Sequence, residues 1–339
     1  MRKRVGSLIV LAAVLAVIGA ACSNSTNTTT PATTGGGVPA TAKEFKVALV
    51  APSAVNDLAF TQSMVDALDR LKAKYNLKIA VSDNMFTVDP DAANALRNYA
   101  SQGYDLVIAH GSQYGGTIQQ LAPQFPKVSF AWGTAGDTFG QPNVFAYQAA
   151  SDQGGYVLGA LAASMSQSKI LGVVGPIEVG DAKLYVDGFK NGAKATVPDI
   201  NLRVNYTGSF SDVALASEAA KSFVAAKADA MTGSAQMVVG AVGVAKDENI
   251  PWFGTQSNQT SLAPTVVVAS QVYHWEVVLS QIIQAIQKGT LGNQTYTIDL
   301  ANGGEVIEYN PAYTIPAAAK AAADAAIAGI KAGSITTGA

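Results

Sequence analysis

Residues 46–82 read KVALVAPSAVNDLAFTQSMVDALDRLKAKYNLKIAVS. An aliphatic run, Lys46–Ala51, leads into a loop of small and polar residues. From Phe60 to Tyr75, apolar residues recur at three- and four-residue spacing. A second aliphatic run, Lys78–Ser82, follows. Strand, amphipathic helix, strand is a βαβ unit. A strand that reads as a continuous aliphatic run belongs to a parallel sheet covered on both faces.

The alternation continues outward from this stretch. Further strands are expected at Leu106–His110, Val128–Trp132, Ile170–Gly175, Leu202–Tyr206, Ala228–Thr232, Trp252–Gly254 and Val266–Ser270. Helices are expected at Asp91–Gln102, Gln153–Met165, Lys183–Ala195, Ala214–Ala226 and Gln236–Glu248. The strand–helix order restarts near residue 151, so 339 residues divide into two α/β lobes, each a doubly wound parallel sheet. Pro311 and Pro316 end the pattern, and Ala317–Ile330 reads as an Ala-rich helical tail.

The N-terminal segment is different. Arg2, Lys3 and Arg4 precede an apolar run from Leu8 to Ala21 that stops at Cys22. A run of about 14 residues is short of the roughly 20 that a membrane-spanning helix needs. A basic start, a short apolar run and small residues before a break describe a secretory signal over residues 1–21. Ile18-Gly19-Ala20-Ala21-Cys22 resembles a bacterial lipobox, with Gly19 where an aliphatic residue is usual. That resemblance implies a lipid on Cys22, the single cysteine of the chain; a plain secretory signal leaving a free thiol is the other reading. Residues 22–43, rich in Ser, Thr, Asn, Gly and Pro, read as a disordered tether reaching on the order of 25 Å.

Charge narrows the function. Only 14% of residues are charged and the formal net charge is -2, which excludes a basic nucleic-acid binder. Loss of Arg2, Lys3 and Arg4 with the signal would make the chain more acidic still.

In doubly wound sheets ligands sit beyond the carboxyl ends of the strands. The segments there carry amides, hydroxyls and rings. They include Asn56, Asp57 and Phe60; Ser112, Gln113 and Tyr114 after His110; Trp132; Phe210; Gly233 and Ser234; Gln256; Tyr273 and Trp275. Flat rings with a few hydrogen-bonding groups make a small-molecule pocket. Arg70, Arg97 and Arg203, the arginines beyond the signal, lie outside these loops, which argues against bidentate capture of phosphate or carboxylate. Asp57 reads first as a helix cap. Glu178 and Asp181 read as solvated loop acids. Trp132 and Trp275 fit either the cleft wall or the packing beneath it. His110 and His274 lack the neighbours a metal site needs, so no metal or cofactor is expected. Gly111 directly precedes Ser112, which breaks the nucleophile-elbow pattern, and no phosphate loop occurs, so an enzyme is not expected.

Five motifs in order resemble one family. They are Asn56-Asp57-x-x-Phe60-x-Gln62, Tyr156-x-x-Gly159-x-x-Ala162, Gly188-Phe189-x-x-Gly192-Ala193, Thr207-Gly208-Ser209-Phe210-x-Asp212 and Gly254-Thr255-Gln256-Ser257-Asn258-Gln259. Together they are similar to the basic membrane protein, or purine-nucleoside-receptor-like, solute-binding lipoproteins of ABC importers, over about residues 44–310. The resemblance implies a type I periplasmic-binding-protein fold. Its lobes would comprise residues 44–150 with about 275–296, and 151–274 with about 297–310, leaving a tail over 311–339. It also implies two Phe rings, matching Phe60 and Phe210, that clamp a base. The family's ribose-binding Asp and Lys are matched by the uncharged Gln256 and Tyr273, so the expected ligand is small, neutral and ring-containing. Expected partners are an ABC permease and ATPase, for a monomer held at the bacterial membrane only by its lipid anchor. A sensing receptor of the same fold and a cleft hydrolase are the alternatives.

Overall fold

A computed structural model describes residues 43–338. The signal segment, Cys22 and the tether up to residue 42 lie outside the described residues. The chain runs through β1 (Phe45–Val50), α1 (Phe60–Tyr75), β2 (Leu77–Ser82), α2 (Ala93–Ser101), β3 (Leu106–Ala109), α3 (Gly115–Leu121), β4 (Ser129–Gly133) and β5 (Val144–Ala149). It continues through α4 (Ser151–Met165), β6 (Ile170–Gly175), α5 (Gly180–Thr196), β7 (Asn201–Tyr206), α6 (Val213–Ala225), β8 (Ala230–Gly233), α7 (Val239–Asp247), β9 (Trp252–Gly254) and β10 (Val267–Tyr273). The last elements are α8 (Glu276–Gln287), β11 (Gln294–Ile298), β12 (Glu305–Tyr309) and α9 (Ala317–Lys331).

Two six-stranded sheets result, with the orders β2-β1-β3-β4-β5-β11 and β7-β6-β8-β9-β10-β12. The two orders are equivalent strand for strand, as the restart of the pattern near residue 151 implies. Every pairing is parallel except β10 with β12. Central strands are buried on both faces: Val47, Ala48, Leu49 and Val50 of β1 are all 0% exposed. One edge strand of each sheet arrives by crossing over, because β11 pairs with β5 and β12 with β10. The chain therefore passes between lobes three times, at β5–α4, β10–α8 and β11–β12. No helix among the described residues is long and apolar enough to cross a membrane.

The glycine motifs have a packing role. In α4 and α5, Gly155 and Gly159 face Gly188 and Gly192 at four-residue spacing, and the two helices touch backbone to backbone. A Cβ on Gly159 would lie 2.1 Å from the Phe189 carbonyl oxygen, and one on Gly192 would lie 2.0 Å from that of Tyr156. The side chains around this contact, Val157, Leu161, Tyr185 and Phe189, are fully buried. The helix pair builds one face of the second lobe and fixes where the first turn of α5 points.

The crossings are tied by a buried polar cluster. Ser151 and Tyr273 hydroxyls are 2.6 Å apart. The Gln271 amide donates to the Ser151 carbonyl at 3.0 Å and to Glu305, whose Oε1 also accepts from the Gly154 amide at 3.0 Å. Glu305 is 0% exposed, and burial holds its carboxyl well above the usual range.

Candidate functional site

A cavity of about 230 Å³ opens between the two sets of strand ends. From the first sheet it is lined by Pro52 after β1, Phe86 after β2, Gly111, Ser112 and Gln113 after β3, and Thr134 after β4, with Phe60 at the start of α1. From the second it is lined by Val179–Ala182 after β6, Phe210 after β7, Ala235 and Gln236 after β8, and Gln256 after β9. Each sheet offers the carboxyl ends of four strands to one space. Thr134, Ala235 and Gln256 hold left-handed φ values of 55, 73 and 69°. Non-glycine residues in that region are uncommon and concentrate at functional sites.

Phe60 is held from behind. Its ring stacks on His110 with centroids 3.8 Å apart and planes 5° from parallel. Trp275 meets Phe60 edge-on at 6.4 Å and His110 at 5.6 Å. His110 Nδ1 accepts from the Tyr147 hydroxyl at 2.8 Å, and Nε2–H donates to the Phe60 carbonyl at 3.2 Å. These partners fix the tautomer. Burial pushes the imidazole down to about 3, so it stays neutral. The sequence spaces Phe60 and His110 fifty residues apart, yet together they form a rigid aromatic wall. Across the cavity mouth Phe86 and Phe210, one from each lobe, approach to 6.4 Å between centroids.

The lobes also meet directly. The Ser257 hydroxyl donates to the Ala59 carbonyl at 2.8 Å, and Gln259 reaches the Leu58 carbonyl at 3.4 Å. The Gly254–Gln259 motif thus braces the loop that carries Phe60.

One acid departs from expectation. Glu178 is exposed, but Asp181 is 4% exposed and lines the cavity, so it is not a solvated loop acid. It sits in the first turn of α5. Burial raises its carboxyl to about 7, against backbone hydrogen bonds from Ala149 and Asp181 that lower it. The reading of the sequence missed Asp181 as a cleft residue, along with Phe86, Thr134, Val179 and Gln236.

Of the expected site residues, the structure brings Phe60, Ser112, Gln113, Phe210 and Gln256 to the cavity. Asp57 caps α1 from outside it. One of its oxygens accepts from the Ala59 and Gln62 amides, the other from the Ser53 hydroxyl and the Thr61 amide. Asn56 is exposed beside it. Tyr114 is fully buried, with its hydroxyl donating to the Met85 carbonyl at 2.8 Å. Trp132 stacks on Phe139 at 4.8 Å and donates to the Gly111 carbonyl. Gly233 and Ser234 lie buried at the end of β8. Tyr273 joins the Ser151 contact, and Trp275 donates to the Ser63 hydroxyl at 2.9 Å. These last residues support the wall from below.

A family model described as ABC transporter substrate-binding protein PnrA-like (Bmp) matches residues 44–315. The chain belongs to this family. Among relatives of this Bmp-family protein is a purine-binding protein of Brucella abortus, 27% identical over 245 residues, which are 72% of this chain and 69% of that one. A transcriptional activator protein of Bacillus subtilis is 25% identical over 269 residues, 79% of this chain and 83% of that one. The solved structure of an ABC transporter solute-binding protein from Conexibacter woesei superposes with a TM-score of 0.72 at 25% identity, covering 86% of this chain and 98% of that one. The Bmp-family chain has the type I periplasmic-binding-protein fold, two doubly wound lobes joined by three crossings. Its family consists of solute-binding proteins, which implies a small-molecule ligand and permease and ATPase partners.

Proposed function

We propose that this Bmp-family chain is an exported lipoprotein, anchored through Cys22, that captures a small neutral ring-containing ligand between its lobes. A purine noucleoside or a related heterocycle fits best, delivered by a monomer to an ABC permease and ATPase. One observation carries this reading: Phe60 from the first lobe and Phe210 from the second line the same cavity. Rings offered from both lobes couple ligand stacking to lobe closure. The name of the Brucella relative is consistent with a purine. The lipid anchor is supported by the sequence alone, through the Leu8–Ala21 run, Cys22 and the tether.

Calorimetric titration with purine nucleosides and nucleobases tests the clamp. Phe60→Ala and Phe210→Ala are each expected to weaken binding by about 1–3 kcal/mol. Unchanged affinity in both variants removes the clamp assignment.

A further inference from the structure

Two side-chain atoms in the cleft are buried without a hydrogen-bond partner, Asp181 Oδ2 and Gln256 Oε1. Buried polar atoms are rarely left unpaired, and an orphaned one inside a binding cavity points to a ligand group. Gln256 can turn its amide to present either an acceptor or a donor. Asp181 has no such freedom once ionised. Its lobe supplies no counter-charge, since the residues lining the cavity include no Lys, Arg or His. A buried carboxylate without a partner is costly, so the complement must come from the ligand.

We propose that the Asp181 carboxylate is the polar anchor of the cleft and accepts a hydrogen bond from an N–H or O–H donor on the ring ligand. The cleft then selects rings with a donor edge over rings that offer acceptors alone. This inference rests on the ring-ligand reading above and adds the group that reads the ring's edge. The helix dipole and nearby backbone amides favour the charged form at the moment of binding. Asp181 occupies the first turn of α5, a 17-residue helix whose dipole favours negative charge there. The backbone amides of Asp181 itself and of Ala149, at the end of β5 in the first lobe, also act to lower its carboxyl. The remaining titratable groups that sense it are Tyr147 on β5, Tyr273 on β10 and Glu305 on β12; none is a cation.

With its proton leaving near pH 7, Asp181 makes binding pH-dependent. A donor on the ligand favours the carboxylate and expels the proton. Affinity therefore rises between pH 6 and pH 8, by about tenfold for a single group titrating midway. Asp181→Asn keeps the shape. The amide cannot ionise, so the charged acceptor is lost and at most a neutral, weaker one remains.

The test is calorimetric titration of the full protein and its Asp181→Asn variant with adenosine, guanosine, inosine, adenine and guanine at pH 6 and pH 8. The expected result is a wild-type affinity about tenfold higher at pH 8. The variant should show a flat profile and bind about tenfold to a hundredfold more weakly at pH 8. Wild-type affinity that is level or falls with pH, or a variant that binds as well as wild type at pH 8, overturns the anchor while leaving the ring-ligand reading standing. No binding of any of the five probes by the wild-type protein overturns the ring-ligand reading, and the anchor with it.

Discussion

Gly192→Val is expected to prevent the second lobe from folding. A Cβ at this position would sit 2.0 Å from the Tyr156 carbonyl oxygen, inside any real contact distance. The neighbour is backbone and cannot swing away as a side chain could. The interlock is reciprocal: a Cβ added at Gly159 would lie 2.1 Å from the Phe189 carbonyl oxygen, and one at Gly188 would lie 2.1 Å from that of Asp152. Inserting a branched side chain must drive α4 and α5 apart and open the core around Tyr185 and Phe189. Overpacking of ordinary core sites costs about 1–3 kcal/mol, and a clash with fixed backbone exceeds that range. A loss of more than about 3 kcal/mol is a large share of the stability of a typical domain. Urea unfolding followed by circular dichroism measures it. Gly243→Ala is the control. Gly243 lies in α7 with nothing within 4 Å of an added Cβ, so the change should stabilise by about 0.5–1 kcal/mol. Comparable stability in Gly192→Val and wild type would show that the helices do not meet this closely.

The ligand-free protein is expected to lose stability between pH 5 and pH 8. Asp181 has its carboxyl raised to about 7, and that of Glu305 is raised well above the ordinary value. A group whose folded-state value lies above its unfolded one contributes stability that is complete below the unfolded value. That contribution is lost as pH rises through the folded value. For Asp181 the window runs from its ordinary 3.8 to about 7, worth on the order of 4 kcal/mol across the full interval. Glu305 acts in the same direction at the lobe crossing. Thermal melts at pH 5 and pH 8 should therefore favour pH 5. Asp181→Asn and Glu305→Gln, which mimic the neutral acids, should each reduce the difference, and Glu305→Gln should keep its acceptor contact with Gly154. A higher melting temperature at pH 8 in the ligand-free protein would mean that these acids are stabilised as carboxylates.

Much of the fold is legible in the sequence because its central strands are buried on both faces. Such strands must be aliphatic, and Val47–Val50 or Val173–Val174 announce themselves. The helix Phe60–Tyr75 has the same limits in the sequence reading and in the structure. The two edge strands that come after the crossings are less visible than the edge strands β2 and β7, which follow the local strand–helix alternation. Gln294–Ile298 and Glu305–Tyr309 mix polar and apolar residues and follow no regular strand–helix alternation. Only long-range pairing makes them strands. The helix Glu276–Gln287 does carry an apolar stripe at Val278, Leu279, Ile282 and Ile283, a periodicity that could have been read.

The cleft was legible where a residue's strand end alone decides its place, as for Phe60, Phe210 and Gln256. It was illegible where the partner comes from the other lobe. An acid in the first turn of a helix is ordinarily a solvated dipole partner. Nothing local to Asp181 signals that Ala149 reaches it from the first sheet. Tyr114, Trp275 and Tyr273 have the composition of binding residues, yet large aromatic side chains with one polar atom also serve as buried supports. Their hydrogen bonds to Met85, Ser63 and Ser151 are the supporting kind.

The proposed ligand is a ring-containing solute bound between these lobes. Isothermal titration of the purified protein with purine nucleosides and nucleobases tests it most directly. Saturable one-to-one binding of at least one of them is the expected result. Absence of binding across the whole panel would contradict it.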